Sequence, residues 1–253
     1  MSNNNAINNW FITHSMNSFS KINLLCFHHA GGSAAFFSSW PQLLTPFMNV
    51  FAIQLPGRDT RYNEPFAQNI ETILQELLRY KNIFLDKPLI LFGHSLGSII
   101  AFELARILEK ISITSLKCLI VSGRCSPHLS KFQEKIHSLS DDLFINRLID
   151  KYGGIPEEIQ RNKNALNLFL PRLRADIYLC ENYKYCPAPL LECPIFIMGG
   201  FHDPSVNKED LVGWQAETKA LSKIYLFDGD HFFLESNKMN VLNRINKLLS
   251  GFL

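Results

Sequence analysis

Long apolar runs are missing from this sequence of 253 residues. No stretch approaches the roughly 18–20 apolar residues that a membrane-spanning helix needs. The first residues, MSNNNAINNW, contain neither the basic start nor the apolar stretch of a secretory signal. We therefore expect a cytoplasmic protein that does not cross a membrane.

A strong excess of one charge is also missing. The 25 basic and 23 acidic side chains give a net charge of +2, and no run of like charge stands out. Neither a nucleic acid nor an anionic membrane surface is therefore expected as a partner. The length fits a single α/β domain over residues 1–253, and a monomer is the default expectation.

The spacings of metal and cofactor sites are absent as well. The six cysteines follow no Cys-x-x-Cys or His/Cys ligand spacing, so we expect reduced structural thiols and no metal site. The pair His28–His29 does not change this, because neighbouring side chains of an extended chain point apart. The glycine-containing loop around this pair is a weak match to a phosphate-binding loop, because it has neither Gly-x-Gly-x-x-Gly nor a following lysine. No cofactor is expected.

The sequence does contain an alternation of short apolar runs and helical patterns. This alternation predicts an α/β protein with a doubly wound, mostly parallel sheet. The predicted strands are Ile22–Phe27, Val50–Leu55, Leu89–Phe92, Leu116–Ser122, Pro194–Met198 and Lys223–Phe227. The clearest helical patterns are Phe66–Leu85, Leu96–Lys110 and Lys238–Leu249.

Two segments depart from the alternation. The first ~20 residues, rich in Asn and Ser, predict a loose arm. From about residue 127 to residue 189 the signals are only helical. One helix follows the N-cap residue Ser140 and ends at Gly153-Gly154, and a second covers Asn164–Tyr185. So much helix between two strands predicts a helical lid inserted above the carboxyl edge of the sheet.

The pentapeptide Gly93-His94-Ser95-Leu96-Gly97 stands between a predicted strand and a predicted helix. Gly-x-Ser-x-Gly at such a junction is the nucleophile elbow of the α/β-hydrolase fold, where a tight turn lifts the serine hydroxyl above the sheet. The helix N-terminus behind it favours developing negative charge. We predict that Ser95 is the nucleophile of a hydrolase.

A nucleophilic serine needs a base, and the base needs an acid that fixes its tautomer. In this fold the chain order is Ser, then Asp or Glu, then His. His231 follows the last predicted strand and is the expected base. Asp203, beyond the preceding strand, is the preferred acid, with Asp228 and Asp230 as the alternatives.

The tetrahedral intermediate also needs two backbone donors. One is the N–H of Leu96, the residue after the nucleophile, and the second comes from the loop after the first core strand. In that loop, which we call the oxyanion loop and which spans His28–Ser33, the N–H of Ala30 is the candidate.

Two groups of basic residues remain open to interpretation. Arg58 and Arg61 follow the second predicted strand, either as solvated arginines of a turn or in packing or substrate contact. Residues 161–184 carry five basic side chains against two acidic ones, and form either a docking face for an acidic partner or a solvated helix face.

Five blocks of the sequence, in order, resemble the type II thioesterases, the stand-alone editing enzymes of nonribosomal peptide and polyketide synthesis. The blocks are residues 25–34 (LCFHHAGGSA), 54–65 (QLPGRDTRYNEP), 93–97 (GHSLG), 121–124 (VSGR) and 229–234 (GDHFFL). The chain departs from the family pattern at His28 and Asp230, where proline and glycine are usual. Neither change removes a predicted catalytic group.

The resemblance implies a substrate and a partner: an acyl thioester on the phosphopantetheine arm of a carrier protein. It implies hydrolysis by Ser95, His231 and Asp203 without a metal or cofactor. A medium-chain fatty acyl carrier-protein thioesterase and a general carboxylesterase are the alternative enzymes. A non-catalytic carrier-protein-binding module is an alternative of another class, which the intact predicted triad disfavours.

Overall fold

The computed structural model describes residues 5–13, 17–129, 135–152 and 161–252. Within these residues the chain forms a sheet of eight strands in the order β1-β2-β4-β3-β5-β6-β7-β8. The strands are β1 Asn5–Asn8, β2 Phe11–Thr13, β3 Ile22–Phe27, β4 Met48–Ile53, β5 Leu89–His94, β6 Leu116–Ser122, β7 Ile195–Gly200 and β8 Ser222–Phe227.

The α-helices lie mainly between the strands. They are α1 Trp40–Leu43, α2 Ile70–Arg79, α3 Leu96–Lys110, α4 Asp141–Tyr152, α5 Lys163–Asn182, α6 Lys208–Val212, α7 Phe233–Ser236 and α8 Lys238–Leu249. In the part of the chain that the structure describes, none of them has the length and apolar character needed to cross a membrane.

Strands β3 to β8 pair in parallel, which confirms the predicted doubly wound, mostly parallel sheet. The predicted bounds of β3, β6, α3 and α8 agree with the structure, whereas β4 begins two residues before the predicted Val50. The polar residue Asn49 interrupts the apolar run there. Its side chain is buried, and its Nδ2 donates a hydrogen bond to Asn23 Oδ1 at 3.1 Å, which offsets the cost of burying the amide.

Alternate residues of the strands pack on opposite faces of the sheet. Leu25 and Phe27 of β3 belong to the apolar cluster that contains α2 and α3. Leu24 and Cys26 belong to the cluster that contains α1 and α8. Both faces are therefore covered by helices, as the near-continuous apolar strands require.

The expectation of a loose N-terminal arm is wrong for residues 5–13. Strands β1 and β2 form an antiparallel hairpin, and β2 pairs antiparallel with β4 at the edge of the sheet. Phe11 is fully buried, and its ring packs edge-to-face on that of Phe51, with 6.4 Å between the ring centroids. This short buried strand was not predicted, because the many asparagines around it suggested an irregular segment.

Between β6 and β7 the described residues form α4 and α5 and contain no strand. These helices share a separate apolar cluster, which includes Phe144, Leu148, Leu170 and Ile177. Helix α4 begins at Asp141, directly after Ser140 as predicted, while its predicted end at Gly153-Gly154 lies outside the described residues. The lid function of the region 127–189 stays a prediction at this point.

Candidate active site

Ser95 occupies the sharp turn between β5 and α3. Its backbone dihedral angles are φ 55° and ψ −113°, in a region that a non-glycine residue adopts only under strain. The turn is held by hydrogen bonds from Ser95 N–H to Ser122 O at 2.8 Å and from Ser98 N–H to Ser95 O at 3.0 Å. The structure thus has the elbow that the pentapeptide predicts.

The glycines at both ends of the elbow allow backbones to approach closely. A Cβ atom at Gly97 would lie 2.1 Å from Phe27 O, and one at Gly93 would lie 2.1 Å from Gly97 O. Real Cβ atoms do not approach backbone atoms so closely. Only glycine therefore fits at the two positions where β5, the elbow and the end of β3 meet.

His231 lies on the loop after β8 and is hydrogen-bonded to Asp203, on the loop after β7. The distance between His231 Nδ1 and Asp203 Oδ2 is 2.8 Å, and both side chains are buried. Burial alone would raise the pKa of Asp203, but hydrogen bonds from His231 and Ser205 hold this pKa below its ordinary value. The carboxylate is therefore ionised at neutral pH and fixes the orientation of the imidazole.

Ser205 is a residue that sequence reasoning missed. Its hydroxyl donates to Asp203 Oδ1 at 2.6 Å, and its backbone N–H donates to the same oxygen at 2.8 Å. A serine two residues after an aspartate is common in turns, so only its place beside a predicted acid distinguishes it.

The two alternative acids do not contact His231 Nδ1. Asp228 is exposed, and its Oδ1 lies 3.3 Å from His202 Nε2. Asp230 accepts a hydrogen bond from the backbone N–H of Phe232 at 2.8 Å. Each carboxylate lies close to His231 in sequence, but neither bonds to its Nδ1.

The loop after β6 brings the elbow and the imidazole together. A Cβ atom at Gly123 would lie 3.4 Å from His231 Cε1, and the preceding residue, Ser122, holds the backbone of Ser95. The rings of His94 and His231 are 5.1 Å apart. Ser95 Oγ has no hydrogen-bond partner in the described part of the chain, so the bond to His231 is not formed here. In enzymes without substrate such bonds often tighten only on binding.

The two backbone amides predicted as oxyanion donors belong to the oxyanion loop and to the first residue of α3. Among the described residues, neither the N–H of Ala30 nor that of Leu96 has a hydrogen-bond partner. The next two amides of the oxyanion loop are occupied: Gly31 N–H donates to Asp176 Oδ2 at 2.7 Å, and Gly32 N–H donates to His29 O at 3.0 Å. The loop therefore leaves the amide of Ala30 available.

Three further histidines surround the site, and all three are neutral at physiological pH. Burial is the main cause that lowers the pKa of His28 and of His29 to about 3 and the pKa of His94 well below its ordinary value. No cluster of three or more metal-ligating side chains occurs within the described ranges.

Arg58 and Arg61 are buried, so the interpretation as solvated arginines is wrong and that of packing is confirmed. The guanidinium carbon of Arg61 lies 4.0 Å from the centroid of the Trp10 ring, and Arg61 Nη1 donates a hydrogen bond to Gln54 O at 2.9 Å. Arg58 forms an ion pair with Asp176 of α5, with both side chains buried.

Two basic side chains of the docking face suggested for residues 161–184 contact other groups of the protein itself. Arg174 donates to Asp141 Oδ1 at 2.6 Å and to His137 O at 2.7 Å. The guanidinium carbon of Arg172 lies 5.1 Å from the centroid of the Phe169 ring. Arg172 Nη1 lies 3.7 Å from Asp59 Oδ1. A docking role for this segment stays a prediction.

Comparisons with known proteins show the family to which the chain belongs. The family model described as "Thioesterase domain" matches residues 22–249. The chain is 34% identical to LgrE of Brevibacillus parabrevis, named a linear gramicidin dehydrogenase, over 96% of this chain and 94% of that protein. It is 32% identical to the medium-chain S-acyl fatty acid synthase thioesterase of Rattus norvegicus, over 89% and 87% of the two chains.

The fold agrees with that of a solved structure. The type II thioesterase BorB from the borrelidin biosynthetic cluster superposes with a TM-score of 0.83 at 31% identity, covering 95% of this chain and 96% of that chain. The chain belongs to the thioesterase family, in the group of type II thioesterases, and is a thioester hydrolase.

Proposed function

We propose that this thioesterase removes acyl groups from the phosphopantetheine arm of carrier proteins in nonribosomal peptide or polyketide synthesis. It acts as a cytoplasmic monomer, with Ser95 as nucleophile, His231 as base and Asp203 as acid. The observation that carries the proposal is the 2.8 Å hydrogen bond between His231 and Asp203 beside the strained elbow of Ser95.

The proposed reaction has two halves. Ser95 Oγ attacks the thioester carbonyl carbon while His231 Nε2 takes the hydroxyl proton, and the oxyanion accepts hydrogen bonds from Ala30 and Leu96. The C–S bond breaks, and His231 returns the proton to the leaving thiolate. Water then attacks the acyl-serine by the same route, which releases a carboxylic acid and restores Ser95.

A thioester suits this set of groups. Its carbonyl is weakly stabilised by resonance, and the thiolate is a good leaving group. A serine hydroxyl, an imidazole, an ionised aspartate and two backbone amides therefore suffice for the reaction, and the proposal includes no metal or cofactor.

We assign the region 127–189, whose described residues include α4 and α5, to a lid over this site. Two contacts support the assignment. The ring of Tyr152, the last described residue of α4, lies 5.3 Å from the ring of His231. Phe169 of α5 packs so closely on the oxyanion loop that a Cβ at Gly31 would lie 2.8 Å from its Cζ. The lid helices thus touch both the base and the oxyanion loop.

The proposal is tested by assaying purified protein on short acyl, long acyl and aminoacyl thioesters of a phosphopantetheinylated carrier protein, with matched oxygen esters as control. We expect preferential hydrolysis of the carrier-bound thioesters and only a residual rate in the Ser95→Ala variant. Faster cleavage of free oxygen esters than of thioesters would identify a general carboxylesterase and overturn the proposal.

A second candidate is a thioesterase for medium-chain fatty acyl groups. The 32% identity with the rat fatty acid synthase thioesterase favours it. The same assay separates the two functions. A marked preference for medium-length, unsubstituted chains supports this candidate, whereas turnover of short acyl or aminoacyl groups supports removal of aberrant groups from a synthase.

A further inference from the structure

Arg58 and Asp176 form a two-pronged ion pair in the interior of the protein. Arg58 Nη1 lies 2.7 Å from Asp176 Oδ2, and Arg58 Nη2 lies 2.8 Å from Asp176 Oδ1. The side chains are only 1% and 2% exposed. The pair joins the loop after β4 to α5, so it connects the sheet to a helix of the lid.

The same two side chains also hold the oxyanion loop. Asp176 Oδ2 accepts the N–H of Gly31 at 2.7 Å, and Arg58 Nη1 donates to the carbonyl oxygen of Gly32 at 3.0 Å. One amide and one carbonyl of the loop, on consecutive residues, are thus bound by the two members of a single ion pair. No other side chain in the described ranges hydrogen-bonds to the backbone of either glycine.

The backbone at Gly31 needs such support. Its φ angle is 76°, in the left-handed region that glycine adopts readily, so the residue itself does little to restrict the loop. The neighbouring amide, that of Ala30, is the predicted oxyanion donor. A donor that is misplaced by about 1 Å loses much of its effect on the transition state.

Burying the pair carries a cost in solvation free energy. Two charges brought out of water lose solvation that their attraction offsets only when the geometry is good. Here burial alone would raise the pKa of Asp176, but the charge and hydrogen bonds of Arg58 and the Gly31 amide hold this pKa below its ordinary value. The carboxylate is therefore ionised at neutral pH, and each of its oxygens accepts at least one hydrogen bond.

We propose that Arg58 and Asp176 are positioning residues, which hold the oxyanion loop so that the amide of Ala30 points at the reacting carbonyl. Because Asp176 belongs to α5, the pair also makes the geometry of the oxyanion hole depend on the position of the lid helix. The inference rests on the proposed function, since it presupposes the role of Ala30. Neither residue touches the substrate in this account.

The central experiment uses Asp176→Asn, in which the neutral amide cannot accept all three hydrogen bonds. We expect kcat for a carrier-bound acyl thioester to fall about 10- to 100-fold with little change in KM. The affinity for an alkyl trifluoromethyl ketone, whose adduct with Ser95 places an oxyanion in the hole, falls by a similar factor. Hydrogen exchange at the Gly31 amide becomes faster.

Arg174→Gln is the matched control. It removes another ion pair of α5, that with Asp141, without touching the oxyanion loop. We expect a normal kcat and normal inhibitor affinity. Equal losses in Arg174→Gln and Asp176→Asn, or a loss confined to KM, would show a general effect on the lid and overturn the inference.

Asp176→Glu covers the case in which Asp176→Asn does not fold. It keeps the charge pair but moves the carboxylate by one methylene, and we expect the same parallel loss of kcat and inhibitor affinity, to a smaller extent. An unchanged kcat in this folded variant refutes the positioning role. The proposed function is judged separately, by whether the wild type cleaves the thioester and Ser95→Ala does not.

Discussion

Ser205 Oγ donates a hydrogen bond to Asp203 Oδ1 at 2.6 Å and lies 3.1 Å from His231 Nδ1. The carboxylate that faces the imidazole is thus held from a second side by a hydroxyl. This contact makes Ser205 part of the support for the proposed base, although it contributes no group to the reaction.

Replacement of Ser205 by Ala removes the hydroxyl but leaves the backbone N–H that bonds to the same oxygen. We expect kcat to fall by about a factor of ten or less, since one hydrogen bond to a charged group is lost and the His231–Asp203 bond remains. Steady-state kinetics on an acyl thioester measure this. A loss as large as that of an Asp203 variant would show that the hydroxyl does more than orient the carboxylate.

Asp203→Asn distinguishes the predicted acid from its neighbours in sequence. We expect kcat to fall about 10⁴-fold, the size of the same change in the serine-protease triad, because an amide at this place favours the wrong tautomer of His231. Asp228→Asn serves as control, since this exposed carboxylate does not bond to His231 Nδ1, and its kcat should stay within about a factor of two. The reverse order of effects would contradict the assignment of the acid.

Gly97→Ala tests the close approach of backbones at the elbow. The added methyl would meet Phe27 O at 2.1 Å, so strand and helix have to separate. We expect the free energy of unfolding to fall by about 3 kcal/mol, measured by chemical denaturation. In Gly251→Ala the new Cβ meets nothing within 4 Å, and a change below about 0.5 kcal/mol is expected. Similar values for the two variants would show that the elbow relaxes freely.

The acid limb of the rate–pH profile is expected to be independent of His29. Burial lowers the pKa of His29 to about 3, so this imidazole takes up a proton only in strong acid and stays neutral across about pH 5–8. His29→Gln therefore leaves the midpoint of the acid limb of kcat/KM in place, whatever it does to the rate itself. A midpoint moved by more than about half a pH unit would show that His29 titrates in the working range.

Several local features were readable from the sequence because they depend on near neighbours. The elbow at Ser95 needs small residues at positions 93 and 97 and a strand-to-helix junction. These requirements can be recognised in one short stretch of the sequence. The bounds of α3 follow from a periodic apolar pattern and those of β6 from a short apolar run, and both agree with the structure. The buried strand at Phe11 was not predicted, because a run of three residues is too short to show a period.

The sequence by itself determined the six parallel strands of the sheet, the elbow of Ser95 and the position of His231 beyond the last strand, since each rests on local patterns and on the chain order of the fold. Only the tertiary structure decided which of three carboxylates bonds to His231, because that depends on how two loops meet at the sheet edge. It also decided the partner of Arg58, because Asp176 is 118 positions away and no local pattern links residues that far apart.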